Sequence, residues 1–180
     1  HSRAMLALFR DRDVDTGILR FNFQDERFDG QLLGDLYQEL DPVVKKRFAL
    51  LQTPSFVRRF MLDRTLGEAL KAWPADEVRV LDPACGSGHF LIDALRRLVD
   101  ATAAQHPDWS PRAVVDSVLP RVVGTDLNDY AAALARARLV MTALELSGSD
   151  DLQDAADMRP QVYWADGLEQ VERDAHDDRT

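Results

Sequence analysis

The stretch Val78-Arg79-Val80-Leu81-Asp82-Pro83-Ala84-Cys85-Gly86-Ser87-Gly88-His89-Phe90 constrains this chain more than any other. An apolar run leads straight into a glycine-rich turn, and the turn into a periodic apolar segment that reads as a helix. Without Cβ atoms, glycines let a ligand lie against the main chain, and a helix N-terminus offers it unpaired N–H groups. Gly-x-Gly alone is common in structural turns. Asp-Pro-x-x-Gly-x-Gly-x-Phe-Leu directly after a strand is far more restrictive and points to a nucleotide-like cofactor.

Around this turn the chain alternates. Residues 78–84 read as a strand, and Phe90, Leu91, Ala94, Leu95, Leu98 and Val99 stripe the helix after it. Ser110-Pro111 caps a short helix carrying Val114, Val115 and Val118. A second strand covers 121–126; Asn128 or Asp129 then caps a helix with Tyr130, Leu134, Met141 and Leu144 on one face, ending at Gly148. A third strand covers 161–166, with Tyr163 and Trp164 expected in the core. Strand–helix–strand–helix–strand with right-handed crossovers is the first half of a doubly wound parallel sheet, so the expected class is α/β.

Upstream, Phe21 and Phe23 alternate as in a short strand, and Leu32, Leu33, Leu36 and Leu40 recur at helical spacing until Asp41-Pro42 interrupts. Thr53 is expected to cap a further helix with Pro54 in its first position, a stripe of Phe56, Val57, Phe60, Met61 and Leu66, and an end at Trp73-Pro74. Two domains follow: a mainly helical segment over 1–74, and a partial cofactor-binding domain over 75–180.

Bulk properties narrow the function classes. With 46% apolar residues among 180, a core can form, yet no apolar stretch is long enough for a bilayer. One cysteine fits a reducing, cytoplasmic setting, and the start at His1-Ser2-Arg3 reads as trimmed or internal. A net charge of −9 argues against binding nucleic acid by electrostatics alone. The charge is uneven: residues 147–180 hold ten acids against three arginines. Residues 45–64 hold Lys45, Lys46, Arg47, Arg58, Arg59 and Arg64 against Asp63, most simply a solvated helix face.

All three expected strands end in an acid: Asp82, Asp126 and Asp166. In parallel sheets ligands sit beyond the carboxyl ends of the strands. An acid after the second strand suits a ribose, whose two hydroxyls it can accept. Asp166, followed by Gly167 and Leu168, suits an exocyclic amine such as adenine's. Asp82 at the turn repels phosphate but welcomes an ammonium or sulfonium group. Such a set fits S-adenosylmethionine and fits NAD poorly.

With these residues in place, the chain resembles the adenine-specific N6 DNA methyltransferases over roughly residues 30–170. Residues 82–91 look like their first cofactor motif, Gly124-Thr125-Asp126-Leu127 like the acidic ribose motif, and Ala165-Asp166-Gly167-Leu168 like the adenine-contacting one. Leu50-Leu51-Gln52-Thr53-Pro54-Ser55-Phe56-Val57 is similar to the motif that closes over the methionine end. Residues 33–40 and 48–54 look like the methyltransferases of BREX phage-defence systems, the phage-growth-limitation type. The resemblance implies a Rossmann-like class I methyltransferase fold, S-adenosylmethionine as cofactor, and methyl transfer to N6 of adenine in double-stranded DNA, marking self against phage. It places the cofactor on Thr53, Pro54, Asp82, Pro83, Ala84, Gly86, Gly88, Phe90, Asp126, Leu127, Asp166 and Gly167.

One departure matters. These enzymes carry Asn or Asp, Pro-Pro and an aromatic residue after a fourth strand; here the only asparagines are Asn22 and Asn128, and neither precedes proline. No catalytic residue is therefore assigned, and the chain reads as the cofactor-binding front of a longer enzyme, inactive alone and reaching DNA mostly through other regions. An RNA or protein amide methyltransferase, or a non-catalytic S-adenosylmethionine-binding scaffold for defence partners, is the alternative. The first strand, normally central, would leave an open edge through which copies could dimerise. Cys85 and His89, four apart, are explained by the helix start, and no metal is expected.

Overall fold

The computed structural model of the chain describes residues 53–149 and 151–168. The strand expected at Phe21 and Phe23, the helix at Leu32–Leu40 and its break at Asp41-Pro42 lie outside these residues. So do Lys45–Arg47, the segments 33–40 and 48–52, Asp150, and the acidic run after Leu168.

Three parallel strands form a sheet in the order β1-β2-β3: β1 Val80–Asp82, β2 Val122–Asp126 and β3 Gln161–Trp164. Helix α1 (Ser55–Arg64) and helix α2 (Leu66–Ala72) precede β1. Between β1 and β2 run α3 (His89–Gln105) and α4 (Pro111–Val118); α5 (Asp129–Ser147) joins β2 to β3. The expected α/β class and parallel pairing are borne out.

The sheet has two unlike faces. Val122, Gly124 and Val162 are buried, and Gly124 lies against Leu91 of α3. On the opposite face, register places Leu81 beside Val123 and Thr125 beside Tyr163. There Leu81 is 64% exposed and Tyr163 49%, so the described helices cover one face only. This corrects the expectation that Tyr163 and Trp164 belong to the core. Tyr163 lies on the uncovered face, and Trp164 ends the strand with its indole N–H donating to the Leu127 carbonyl at 3.0 Å.

The core lies between the sheet and α3, α4 and α5. Leu91, Leu95 and Leu98 are fully buried, each worth about 1.5–3 kcal/mol relative to exposure. Ser110 caps α4 as expected, its Oγ accepting from the Ala113 N–H at 3.2 Å; Val114, Val115 and Val118 are buried. Asn128 caps α5, and Gly148 closes it in the left-handed conformation.

Several boundaries moved. β1 starts two residues late because Arg121 Nη1 already donates to the Ala75 and Val78 carbonyls. Thr53 does not cap α1; Pro54 occupies the cap position, its carbonyl accepting from Val57 and Arg58. The single helix expected over 54–72 breaks at Thr65, whose hydroxyl bonds back to the Met61 carbonyl at 2.8 Å. The stripe of Phe56, Phe60 and Met61 is exposed; Leu62 and Leu66 are the buried anchors. On α5, Tyr130 and Met141 are exposed as well; Leu144 is buried as expected, together with Ala131, Ala132, Ala135, Leu139 and Ala143. Small side chains let that helix approach its neighbours closely, a preference hidden from a count of large apolar residues.

Among the described residues, no helix is long and apolar enough to cross a membrane.

Candidate cofactor-binding site

The turn after β1 takes its shape from local chemistry. Asp82 Oδ1 accepts from the Ala84 N–H at 3.2 Å, bending the chain just past the strand. Cys85 N–H then donates to the Thr125 carbonyl at 2.9 Å, pinning the turn to the end of β2. Gly86 and Gly88 have φ of 54° and 84°, a region that side chains rarely adopt. A Cβ on Gly88 would lie 2.9 Å from Cβ of Ala135, so this glycine allows the turn to seat on α5. A Cβ on Gly86 would meet no atom of the described residues within 4 Å. One glycine therefore faces α5, and the other faces outward beyond the strand ends.

Asp126, the last residue of β2, joins the parts. Its Oδ2 accepts from the Gly86 N–H at 2.7 Å and its Oδ1 from the Asn128 N–H at 2.8 Å. Each carboxylate oxygen keeps a further lone pair. Leu127 follows, exposed, its carbonyl held by Trp164.

The third strand returns to the same rim. Its ladder extends to Ala165, whose N–H donates to the Asp126 carbonyl at 3.1 Å. A Cβ on Gly167 would fall 2.5 Å from both the Pro83 carbonyl and Thr125 Oγ1, so this glycine packs on the β1 turn and the end of β2. Asp166 itself lies two residues past β3, in a turn, its Oδ1 accepting from the Leu168 N–H at 2.9 Å. Asp82, Pro83, Ala84, Gly86, Gly88, Asp126, Leu127 and Gly167 are thus brought to one rim, with Asp166 in the adjoining exposed turn.

Thr53 and Pro54 lie just before α1. Arg58 donates through Nη1 to the Thr53 carbonyl at 2.8 Å and through Nε to Asp93, early in α3, at 2.9 Å. Phe90 is partly buried against the core. Sequence reasoning missed Thr125, Trp164 and Arg138, which reach the rim through contacts distant in sequence, and Arg58, which ties Thr53 to α3.

The rim is acidic. Burial raises the Asp82 carboxyl above its ordinary value, the Ala84 N–H opposes the rise, and the charge of Asp126 adds to it. A cation placed there would relieve that penalty; a phosphate would worsen it. The Cys85 thiol is pushed up to about 12 by burial first, then by Asp82 and Asp126. Both causes favour the neutral thiol over the nucleophilic thiolate.

The residues fit an adenosyl sulfonium compound. Among the described residues the Gly86 backbone is uncovered, acidic Asp82 and Asp126 lie beside it, and exposed Leu127 follows.

Comparison with known proteins places the chain among DNA methyltransferases. Over 173 residues the chain is 38% identical to the adenine-specific methyltransferase PglX of Streptomyces coelicolor, a match covering 92% of this chain but 14% of that protein. It is 31% identical over 96 residues to a protein of Methanocaldococcus jannaschii provisionally named a type II restriction enzyme and methyltransferase, covering 49% of this chain and 8% of that one. The chain spans only a small part of either relative, and the resemblance to adenine-specific DNA methyltransferases is borne out. The family model described as the DNA-methyltransferase domain of MmeI matches residues 68–158, half of the chain, and the chain belongs to that family.

Proposed function

We propose that this chain is the S-adenosylmethionine-binding portion of a site-specific DNA adenine N6-methyltransferase that modifies DNA in phage defence. The observation that carries the reading is the glycine turn tied to Asp126, with the Gly86 side open among the described residues at the carboxyl ends of parallel strands. Family membership implies a methyl donor, and the acidic rim favours a cationic one over a phosphate ester. The three strands then form the first half of a Rossmann-like class I methyltransferase sheet, in a domain over 75–180 preceded by a segment over 1–74.

In this reading Gly86, Gly88, Pro83 and Ala84 would hold the cofactor along the main chain, and Asp82 would face its cationic methionine end. Asp126 would accept from the ribose hydroxyls; Leu127, Asp166 and Gly167 would meet the adenine, while Thr53, Pro54 and Phe90 would close the methionine side. When bound, S-adenosylmethionine supplies an electrophilic methyl group on sulfur. The chain's own part is to orient that compound and to keep its charged end beside an acid. Double-stranded DNA is the proposed substrate and the cytoplasm the setting. The edge of β1, unpaired among the described residues, is the place for a further strand or for a second copy.

Calorimetry of the full-length protein with S-adenosylmethionine, NAD and ATP tests the cofactor. Binding of S-adenosylmethionine alone is expected; binding of NAD or ATP in its place would overturn the assignment. Transfer of labelled methyl to adenine in duplex DNA, compared with RNA and protein acceptors, tests the activity and separates enzyme from scaffold.

A further inference from the structure

Arg138 lies in the middle of α5 and is 5% exposed. Burying a guanidinium is costly unless its donors are used, so its partners reveal its purpose. Nη1 donates to the Ser87 carbonyl at 2.8 Å and to Ser87 Oγ at 3.3 Å, and stands 3.5 Å from His89 Nδ1. Ser87 Oγ and His89 Nδ1 are 3.1 Å apart. Ser87 is the residue between the two left-handed glycines, 51 positions away from Arg138.

One helical turn back on the same side of α5, Ala135 receives Gly88. This face therefore supplies a small residue for close approach and a cation for the turn's carbonyl. Asp126 grips the same turn from the other flank, through the Gly86 N–H. An acid holds the Gly86 N–H and a base the Ser87 carbonyl, so the Cys85–Gly86 and Ser87–Gly88 peptide planes are both fixed. A Gly-Ser-Gly segment is otherwise among the freest stretches a chain can contain.

We propose that Arg138 is a positioning residue for the cofactor: it holds the Ser87–Gly88 peptide so that the turn is shaped before the ligand arrives. This rests on reading the turn as the S-adenosylmethionine site. A preshaped turn spares the ligand the cost of ordering it. Arginine suits the task because Nη1 is held in the plane of a rigid guanidinium and meets the carbonyl and the hydroxyl from one fixed position, whereas lysine offers a compact point charge on a flexible stem.

The test compares wild-type full-length protein with Arg138→Lys and Arg138→Gln, by calorimetry with S-adenosylmethionine, steady-state methyl transfer and thermal unfolding. Both variants are expected to bind S-adenosylmethionine about tenfold or more weakly, and to raise KM for it by a similar factor. They should leave KM for DNA, and kcat at saturating cofactor, within about twofold. Arg138→Lys, keeping the charge, should unfold close to the wild-type temperature. Wild-type affinity in both variants overturns the inference. So does failure of both to fold, or a fall in kcat with unchanged KM, because Arg138 would then serve the fold alone. Wild-type protein that does not bind S-adenosylmethionine would sink the site reading and this inference together; binding by wild type with unaltered variants sinks this one only.

Discussion

The N–H of Gly86 donates to Oδ2 of Asp126 across 2.7 Å, joining the first glycine of the turn to the acid that ends β2, 40 residues later. The other oxygen of Asp126 holds the Asn128 N–H, so one carboxylate links the turn, the second strand and the start of α5. It shapes the site and also faces it.

Replacing Asp126 should therefore cost stability and binding together. Asp126→Ala removes two bonds to a charged acceptor, each worth roughly 1.5–3 kcal/mol, and is expected to lower the unfolding temperature by several degrees. Affinity for S-adenosylmethionine should fall by roughly tenfold to a hundredfold. Asp126→Asn keeps the shape and one acceptor and should fall between. Calorimetry and thermal denaturation read both effects; wild-type affinity in Asp126→Ala would remove this residue from the site.

The two turn glycines should separate binding from folding. Gly86→Val puts its Cβ where no atom of the described residues lies within 4 Å, at a strained φ of 54°. Its main expected effect is loss of cofactor binding, with a stability cost of about 1–3 kcal/mol from the backbone. Gly88→Ala drives a methyl to 2.9 Å from Ala135, so its main expected effect is on unfolding temperature. If Gly86→Val binds normally, the open side of the turn is not the ligand side.

Asp82 makes a pH-dependent prediction. Its carboxyl is raised by burial, lowered by the Ala84 N–H and raised again by Asp126. An acid with a raised folded value holds its proton more tightly folded than unfolded. Its contribution to stability is present below the ordinary carboxylate range and is lost as pH climbs through the raised value. Asp82→Asn should thus unfold at a higher temperature than wild type at neutral pH, with the gap closing in acid. The same variant should bind S-adenosylmethionine more weakly at neutral pH. A variant no more stable than wild type at neutral pH would contradict the burial account.

Cys85 should be inert in the folded protein. With its thiol pushed up to about 12 and its side chain buried, alkylation by iodoacetamide at mildly alkaline pH should be slow until denaturant is added. Rapid labelling of native protein, followed by mass spectrometry, would show that the turn opens readily.

Short-range chemistry was legible without coordinates. The glycine turn and helix start at 85–89, the cap at Ser110, the cap at Asn128 and the left-handed stop at Gly148 depend on neighbouring residues, and each stands where its local pattern put it. The second strand likewise ends at Asp126, whereas the first, expected over 78–84, keeps only Val80–Asp82.

Long-range packing decided the rest. Which face of α5 is buried, whether Tyr163 is covered, and how far β1 extends upstream depend on which neighbour arrives across space, and periodicity carries no record of that. Arg138 is the sharpest case. In sequence it is one more cation on a helix, and only the folded chain brings its guanidinium to Ser87. The sequence by itself determined that a ligand-ready turn and two strand-end acids exist; the tertiary structure decided what holds them in place, because that hold is made of hydrogen bonds between residues some 40 to 50 positions apart.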